Sequence, residues 1–147
     1  MFAAVSIFLG IAAKAVPQRS AQASTPQASS AQADPDARKI PCKVPENASM
    51  CYWTRGRLSY YIGNPPYRVW KIGTKRILGI YSGPSVWPPK DQRDQDNPEF
   101  PVNVKRAFDR LSNKIFADFE ICPLEPERPG WMQHACIESA ANIFVEK

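Results

Sequence analysis

Between residues 51 and 82, the pattern of apolar and polar positions predicts three short β-strands. The first run, YWTRGRLSYYI at 52–62, is rich in aromatic residues and partly alternates. The sequence GNPP at 63–66 favours a turn, because neither proline can donate a backbone hydrogen bond and each restricts the residue before it. The next two runs, YRVWKI and KRILGIY, flank Gly73-Thr74. A two-residue loop that begins with glycine is typical of a type II′ hairpin turn.

This turn predicts the register of the second hairpin and therefore its buried face. It pairs Ile72 with Lys75 and, further along, Val69 with Leu78. Directly opposed residues point to the same side of a sheet. The face with the more continuous apolar patch, which we expect to meet the core, holds Tyr67, Val69, Leu78 and Ile80.

The remaining pattern predicts one helix and further strands. Residues 101–113 have helical periodicity, with Val104, Phe108 and Leu111 on one stripe. Strands are predicted at 114–124 and 131–138, on either side of a turn at 125–130, and the last nine residues resemble a helical turn and a short strand. We expect a β-rich α+β fold, a small five- to six-stranded antiparallel barrel with one helix. The order β-β-β-α-β-β is that of an OB-type barrel, although other small α+β folds share it.

The N-terminal third has a different composition. An apolar run from Phe2 to Ala13 has the length of a signal-peptide core and is followed by a small-residue cleavage pattern. Residues 16–40 are rich in Ala, Gln, Ser and Pro, which is typical of a disordered linker. We therefore expect a signal segment at 1–15, a linker at 16–40, and one domain at 41–147 in a periplasmic or secreted protein. An uncleaved anchor is the alternative for the first segment, since no basic residue precedes the apolar run.

The four cysteines of this domain are even in number, which in an exported protein indicates two disulfides. The turn at 125–130 would place Cys122 opposite Cys136, so we favour that pair together with Cys42–Cys51. Bridges that join the N-terminal pair to the C-terminal pair are the competing arrangement. The spacing His134-x-Cys136 does not match a zinc site, and we predict no metal and no cofactor.

Charge is distributed unevenly along the chain, whose net charge is +5. Residues 47–90 contain seven Lys and Arg and no acid, whereas residues 91–147 contain seven Lys and Arg against eleven acids. Basic residues interleaved with aromatics are typical of surfaces that bind anions. We expect such a face at 52–76, formed by Arg55, Arg57, Arg68, Lys71, Lys75, Arg76, Trp53, Tyr60 and Trp70.

The hairpin register sends Lys71 and Arg76 to one face and Arg68 and Lys75 to the other. A continuous basic surface would therefore need Arg55 and Arg57 from the preceding strand. The partner would be an anionic glycan or another envelope component; nucleic acid is an uncommon partner outside the cell. The alternative function is a structural or inhibitor-like protein-interaction module of the cell envelope, since aromatic residues also favour strands and basic residues protect strand edges.

Catalysis is not indicated by any motif in the chain. There is no glycine-rich phosphate loop and no serine elbow motif. His134 and Cys136 could act as a base and a nucleophile only if Cys136 were a free thiol. We therefore expect a non-catalytic binding protein.

Three phrases carry a resemblance to a family of small, uncharacterised secreted or periplasmic proteins of bacteria. They are Gly56-Arg57-Leu58, Gly73-Thr74-Lys75-Arg76 and Cys122-Pro123-Leu124. The resemblance spans most of residues 51–146. It implies a bacterial envelope setting but no activity and no site residues.

Overall fold

The computed structural model describes residues 37–89, 97–111 and 113–147. The predicted signal segment and the predicted linker up to residue 36 lie outside the described residues. The regular elements are β1 (Tyr52–Tyr60), β2 (Tyr67–Lys71), β3 (Ile77–Ile80), α1 (Val102–Ala107), β4 (Lys114–Pro123) and β5 (Gln133–Glu146). Short 3₁₀ turns lie at Ala48–Met50 and Pro84–Val86.

The five strands form a closed barrel in the order β1-β2-β3-β5-β4, with β4 returning to β1. The contact between β3 and β5 is parallel, and the other four contacts are antiparallel. A small β-rich barrel with one helix is therefore confirmed for the described residues, but the sheet is mixed and not antiparallel as we expected. Within the described ranges, no helix is long and apolar enough to cross a membrane.

The barrel interior is filled by the inward-facing residue of every second strand position. The largest fully buried side chains of the strands are Leu58, Val69, Leu78, Ile80, Ile115, Phe119, Ile121 and Ile137. Helix α1 contributes the buried Val104 to the same core. The rings of Tyr67, Phe100 and Phe108 pack edge to face beside it, with centroids 5.3–6.3 Å apart.

The predicted β2–β3 hairpin is confirmed in its register and its buried face. Arg68 pairs with Gly79, and Val69 pairs with Leu78. The turn differs from the predicted two-residue loop. Thr74 N–H donates to Lys71 O, so Gly73 is the third residue of the turn, where its φ of +78° suits glycine. Ile72 N–H donates instead to Arg55 O on β1.

The predicted helix at 101–113 is wrong in length, because α1 ends at Ala107. Phe108 already has extended backbone angles, and Leu111 is 82% exposed instead of lying on the buried stripe. The Asn113 side chain accepts from Asp109 N–H and donates to Ala107 O. These local hydrogen bonds stabilise a loop at the position where periodicity predicted another turn of helix.

The C-terminal segment is one long strand, not a strand followed by a helical turn. β5 pairs with β4 up to Glu146, and the register shifts between Phe116 and Asp118. Asn142, which lies at this shift, has a positive φ of 51°. A bulge of this kind bends a strand without ending it, so the small residues of 139–142 remain part of the barrel wall.

Two disulfides are present, but the preferred connectivity was wrong. Cys42 bonds Cys136 and Cys51 bonds Cys122, which is the competing arrangement. Cys122 and Cys136 do lie opposite each other on β4 and β5, as predicted. Because directly opposed residues point to the same face of a sheet, Cys122 and Cys136 both face the N-terminal segment that packs on this face. Each therefore bonds one cysteine of that segment.

Candidate functional site

The outer face of the barrel carries three of the predicted basic residues. Alternation along β1 turns Gly56 and Leu58 inward, so that Arg55 and Arg57 lie on the outer side. Arg68 on β2 lies on the same side, because it is paired with Ser59. Neighbouring strands therefore bring Arg55, Arg57 and Arg68 to one surface, as the sequence required for a continuous basic face.

Arg57 lies in a row of aromatic side chains that crosses four strands. Its cross-strand neighbours are Trp70 on β2 and Phe116 on β4, and Phe116 lies opposite Phe144 on β5. The guanidinium carbon is 5.7 Å from the centre of the Trp70 ring, within the range of a cation–π contact. Arg57 Nη2 donates to the Tyr61 hydroxyl at 3.3 Å. Its buried Nε has no hydrogen-bond partner among the described residues.

Arg68 lies next to Arg57 and shares Tyr61 with it. The Arg68 guanidinium carbon is 5.1 Å from the centre of the Tyr61 ring, and Nε donates to Pro65 O at 2.9 Å. In the part of the chain that the structure describes, neither Arg57 nor Arg68 forms an ion pair with a carboxylate. We refer to Arg57, Arg68, Tyr61, Trp70, Phe116 and Phe144 as the arginine–aromatic face.

Arg55 differs from these two arginines because its charge is balanced. Its Nη1 lies 3.4 Å from Asp118 Oδ1 and donates to Asn142 O at 3.2 Å. The pKa of Asp118 is lowered by the hydrogen bond from the Asn142 side chain and further by Arg55. Asp118 therefore stays ionised and offsets Arg55. The exposed Trp53 lies further along β1, opposite Glu120.

The remaining predicted site residues lie elsewhere on the barrel. Lys71 faces the same side as Gly56, and its Nζ is 4.7 Å from the centre of the Tyr52 ring. Tyr60 packs edge to face on Tyr67, with centroids 5.3 Å apart. These side chains lie at the two ends of β1 and do not join the arginine–aromatic face.

The tip of the β2–β3 hairpin holds the last two predicted basic residues. Lys75 is exposed, whereas Arg76 forms an ion pair with Glu127 from the turn before β5. Together with Arg55–Asp118, this pair joins the basic part of the chain to its acidic part within one molecule. The nine predicted residues therefore divide among the outer face, the barrel ends and the hairpin tip.

Three members of the arginine–aromatic face were not predicted. Tyr61 lay within the predicted face at 52–76 but was not singled out, and Phe116 and Phe144 lie 40 and 68 residues beyond the end of that segment. Alternation within β4 could have placed Phe116 outward. Only the pairing of β1 with β4, which is nonlocal, places it beside Arg57.

The geometry supports binding better than it supports the nucleophile–base pair considered from the sequence. Cys136 is consumed in a disulfide and offers no thiol. Arg57 and Arg68 present N–H groups beside flat aromatic surfaces, an arrangement that suits a planar or multiply charged anion.

Comparison with known proteins adds no family assignment. No protein-family model, no curated protein and no solved structure matches this chain. The functional conclusion therefore rests on the site itself.

Proposed function

We propose that this chain is a non-catalytic binding protein of the bacterial periplasm or exterior that holds an anionic ligand on its arginine–aromatic face. The observation that carries the proposal is that Arg57 and Arg68 both contact Tyr61, and that neither has a carboxylate partner among the described residues. Two half-buried cations without a counter-charge favour an external anion, because desolvated charges are otherwise costly.

An acidic glycan is the ligand class that suits this surface best. A guanidinium binds a carboxylate or sulfate through two parallel hydrogen bonds. The exposed rings of Trp70 and Phe144 offer apolar surface on which the faces of sugar rings can pack. Two disulfides are typical of proteins in oxidising compartments, where envelope glycans are found.

The proposal is tested by retention on a sulfated or carboxylated glycan resin across a salt gradient. Counterion release makes such binding salt-dependent. We expect Arg57→Gln and Arg68→Gln each to lower the slope of log affinity against log salt by about one. Arg55→Gln is the matched control, since it removes an equal charge from the same side of the barrel, but one that Asp118 already offsets. We expect it to change the slope less.

Two results would count against this function. Wild-type protein that elutes without salt dependence has no anion-binding face of this kind. Equal losses in all three variants would mean that only net charge matters. Retention of a protein from envelope extract that survives Arg57→Gln would favour the rival function, a protein-interaction module.

A further inference from the structure

A second group of side chains lies over Gly79 on the outer side of β3 and β5. His134 pairs with Gly79 across the parallel contact, and Met132 lies two residues earlier, on the same side of the chain. A Cβ placed on Gly79 would lie 2.5 Å from Pro65 Cγ, 3.1 Å from His134 Cδ2 and 3.2 Å from Met132 Sδ. The imidazole and the thioether therefore both lie over one glycine, in space that a larger residue would occupy.

Glu125 orients the imidazole of His134 and determines which ring nitrogen carries the proton. Glu125 Oε1 lies 2.5 Å from His134 Nδ1 and also accepts the His134 backbone N–H at 3.2 Å. A carboxylate accepts hydrogen bonds, so Nδ1 carries the proton and Nε2 carries the free lone pair in the neutral ring. This carboxylate–histidine arrangement is the one that supports metal-binding histidines. Among the described residues, Nε2 has no hydrogen-bond partner.

The same side chains line a small cavity. Its volume is about 170 Å³, and Glu125, Met132 and His134 contribute to its wall together with Trp131. The Trp87 ring packs on the imidazole with centroids 4.6 Å apart. An imidazole nitrogen, a soft thioether sulfur and indole rings thus lie together at a partly exposed position.

We propose that His134 Nε2 and Met132 Sδ bind a soft monovalent metal ion, Cu(I). Thioether ligands favour Cu(I) over zinc, magnesium and calcium. Zinc sites need three or four nitrogen, sulfur or oxygen ligands, and no group of three or more His, Cys, Asp and Glu that could hold a metal exists among the described residues. Glu125 supplies one negative charge next to the imidazole, which offsets a single positive charge.

The proposal is tested with Ag(I), a redox-inert probe of Cu(I) sites that needs no reductant and so leaves both disulfides intact. Untagged protein labelled with ¹⁵N is titrated in chloride-free buffer. His134 is the single histidine of the chain, so its ring nitrogens give one assignable pair of signals. We expect one equivalent of Ag(I) to move the Nε2 resonance, while Nδ1 keeps the shift of a protonated nitrogen.

Methionine variants distinguish this site from general silver binding. Met132→Leu keeps the size and apolar character of the side chain, and we expect it to lower the Ag(I) affinity at least about tenfold. Met50→Leu is the matched control, because Met50 is the other methionine among the described residues and does not line the cavity. We expect no change there. Glu125→Gln should lower affinity by about tenfold, as expected for a residue that acts through a ligand.

Three results would overturn the proposal. They are an Nε2 resonance that does not respond to one equivalent of Ag(I), equal affinity in Met132→Leu and wild type, and tighter binding of Zn(II) than of Ag(I). Arg57→Gln should bind Ag(I) like wild type, so the outcome is independent of the proposed anion binding.

Discussion

Gly56 lies at a position of the barrel wall that has no room for a side chain. It faces the interior, where an added Cβ would lie 2.6 Å from Val69 Cγ1 and 3.1 Å from Phe119 Cδ2. Both neighbours are fully buried and cannot withdraw into solvent. We expect Gly56→Ala to lower the free energy of unfolding by about 1–3 kcal/mol through overpacking, measured by urea denaturation.

Gly73 provides the contrast for this prediction. Its added Cβ would meet nothing within 4 Å, and its positive φ is one that asparagine tolerates. We expect Gly73→Asn to change stability by about 0.5 kcal/mol or less. If Gly56→Ala were as stable as Gly73→Asn, the prediction would be wrong, because the core would have rearranged to accept the added methyl group.

At the scale of elements, a short N-terminal segment is tied to the barrel by two charged side chains. Arg38 donates to the carbonyl oxygens of Ile137, Ser82 and Glu99 at 2.5–2.8 Å. Glu99 Oε2 accepts the backbone N–H groups of Lys39 and Ile40 at 2.7–2.8 Å. These contacts begin before residue 41, where the sequence predicted that the domain starts.

The attachment of this segment should depend on pH. Burial raises the pKa of Glu99, but the backbone hydrogen bonds from Ile40 and Lys39, with the charges of Lys105 and Arg38, bring it below its ordinary value of 4.5. A carboxyl group whose pKa is lowered by folding stabilises the fold above pH 4.5. That contribution is lost as pH falls through the lowered value. We expect protection factors for the Lys39 and Ile40 amides to fall in acid.

Hydrogen exchange at several pH values measures this effect. Glu99→Gln removes the charge and should give low protection of both amides already at neutral pH. The core amide of Val69 serves as the internal control, because its hydrogen bonds lie within the sheet. Unchanged protection of Lys39 and Ile40 from pH 6 to pH 3 would contradict the role of Glu99.

Elements defined by local sequence were the ones that the sequence could predict. The β2–β3 register was predicted from a turn at Gly73 and an alternating pattern within 14 residues. That register is present in the structure, although the turn itself has a different form. The length of the helix was overestimated, because Phe108 and Leu111 have helical spacing in the sequence. In the structure, the Asn113 side chain instead forms hydrogen bonds with the backbone of Asp109 and Ala107, which stabilise a loop. Local propensity thus predicted the element but not where competing side-chain hydrogen bonds end it.

Across the molecule, the features that the sequence did not predict depend on contacts between distant segments. Phe116 lies beside Arg57 because β4 pairs with β1 when the barrel closes. The two strands are not joined by a turn, so no local sequence sets their register. The same holds for the cysteines: Cys122 and Cys136 were placed correctly opposite each other, yet their partners come from the N-terminal segment. The closure of the barrel and the packing of the N-terminal segment on it therefore determine both the arginine–aromatic face and the disulfide connectivity.

The two disulfides constrain the whole fold. They join residues 94 and 71 positions apart, so each closes a long loop in the unfolded chain. The chain-entropy model gives a stabilisation of about 4–5 kcal/mol for loops of this length, against a total of about 5–15 kcal/mol for a typical domain. We expect the double variant Cys42→Ala/Cys136→Ala to unfold more than about 10 °C below wild type, measured by thermal denaturation followed by circular dichroism. Cys51→Ala/Cys122→Ala should lose a similar amount, because the logarithmic dependence on loop length makes the two losses nearly equal.

Peptide mapping under non-reducing conditions checks the disulfide pairing on which this prediction rests. A disulfide-linked Cys122–Cys136 peptide would contradict that pairing. A loss of only a few degrees in both variants would mean that the barrel core holds the N-terminal segment without its covalent links.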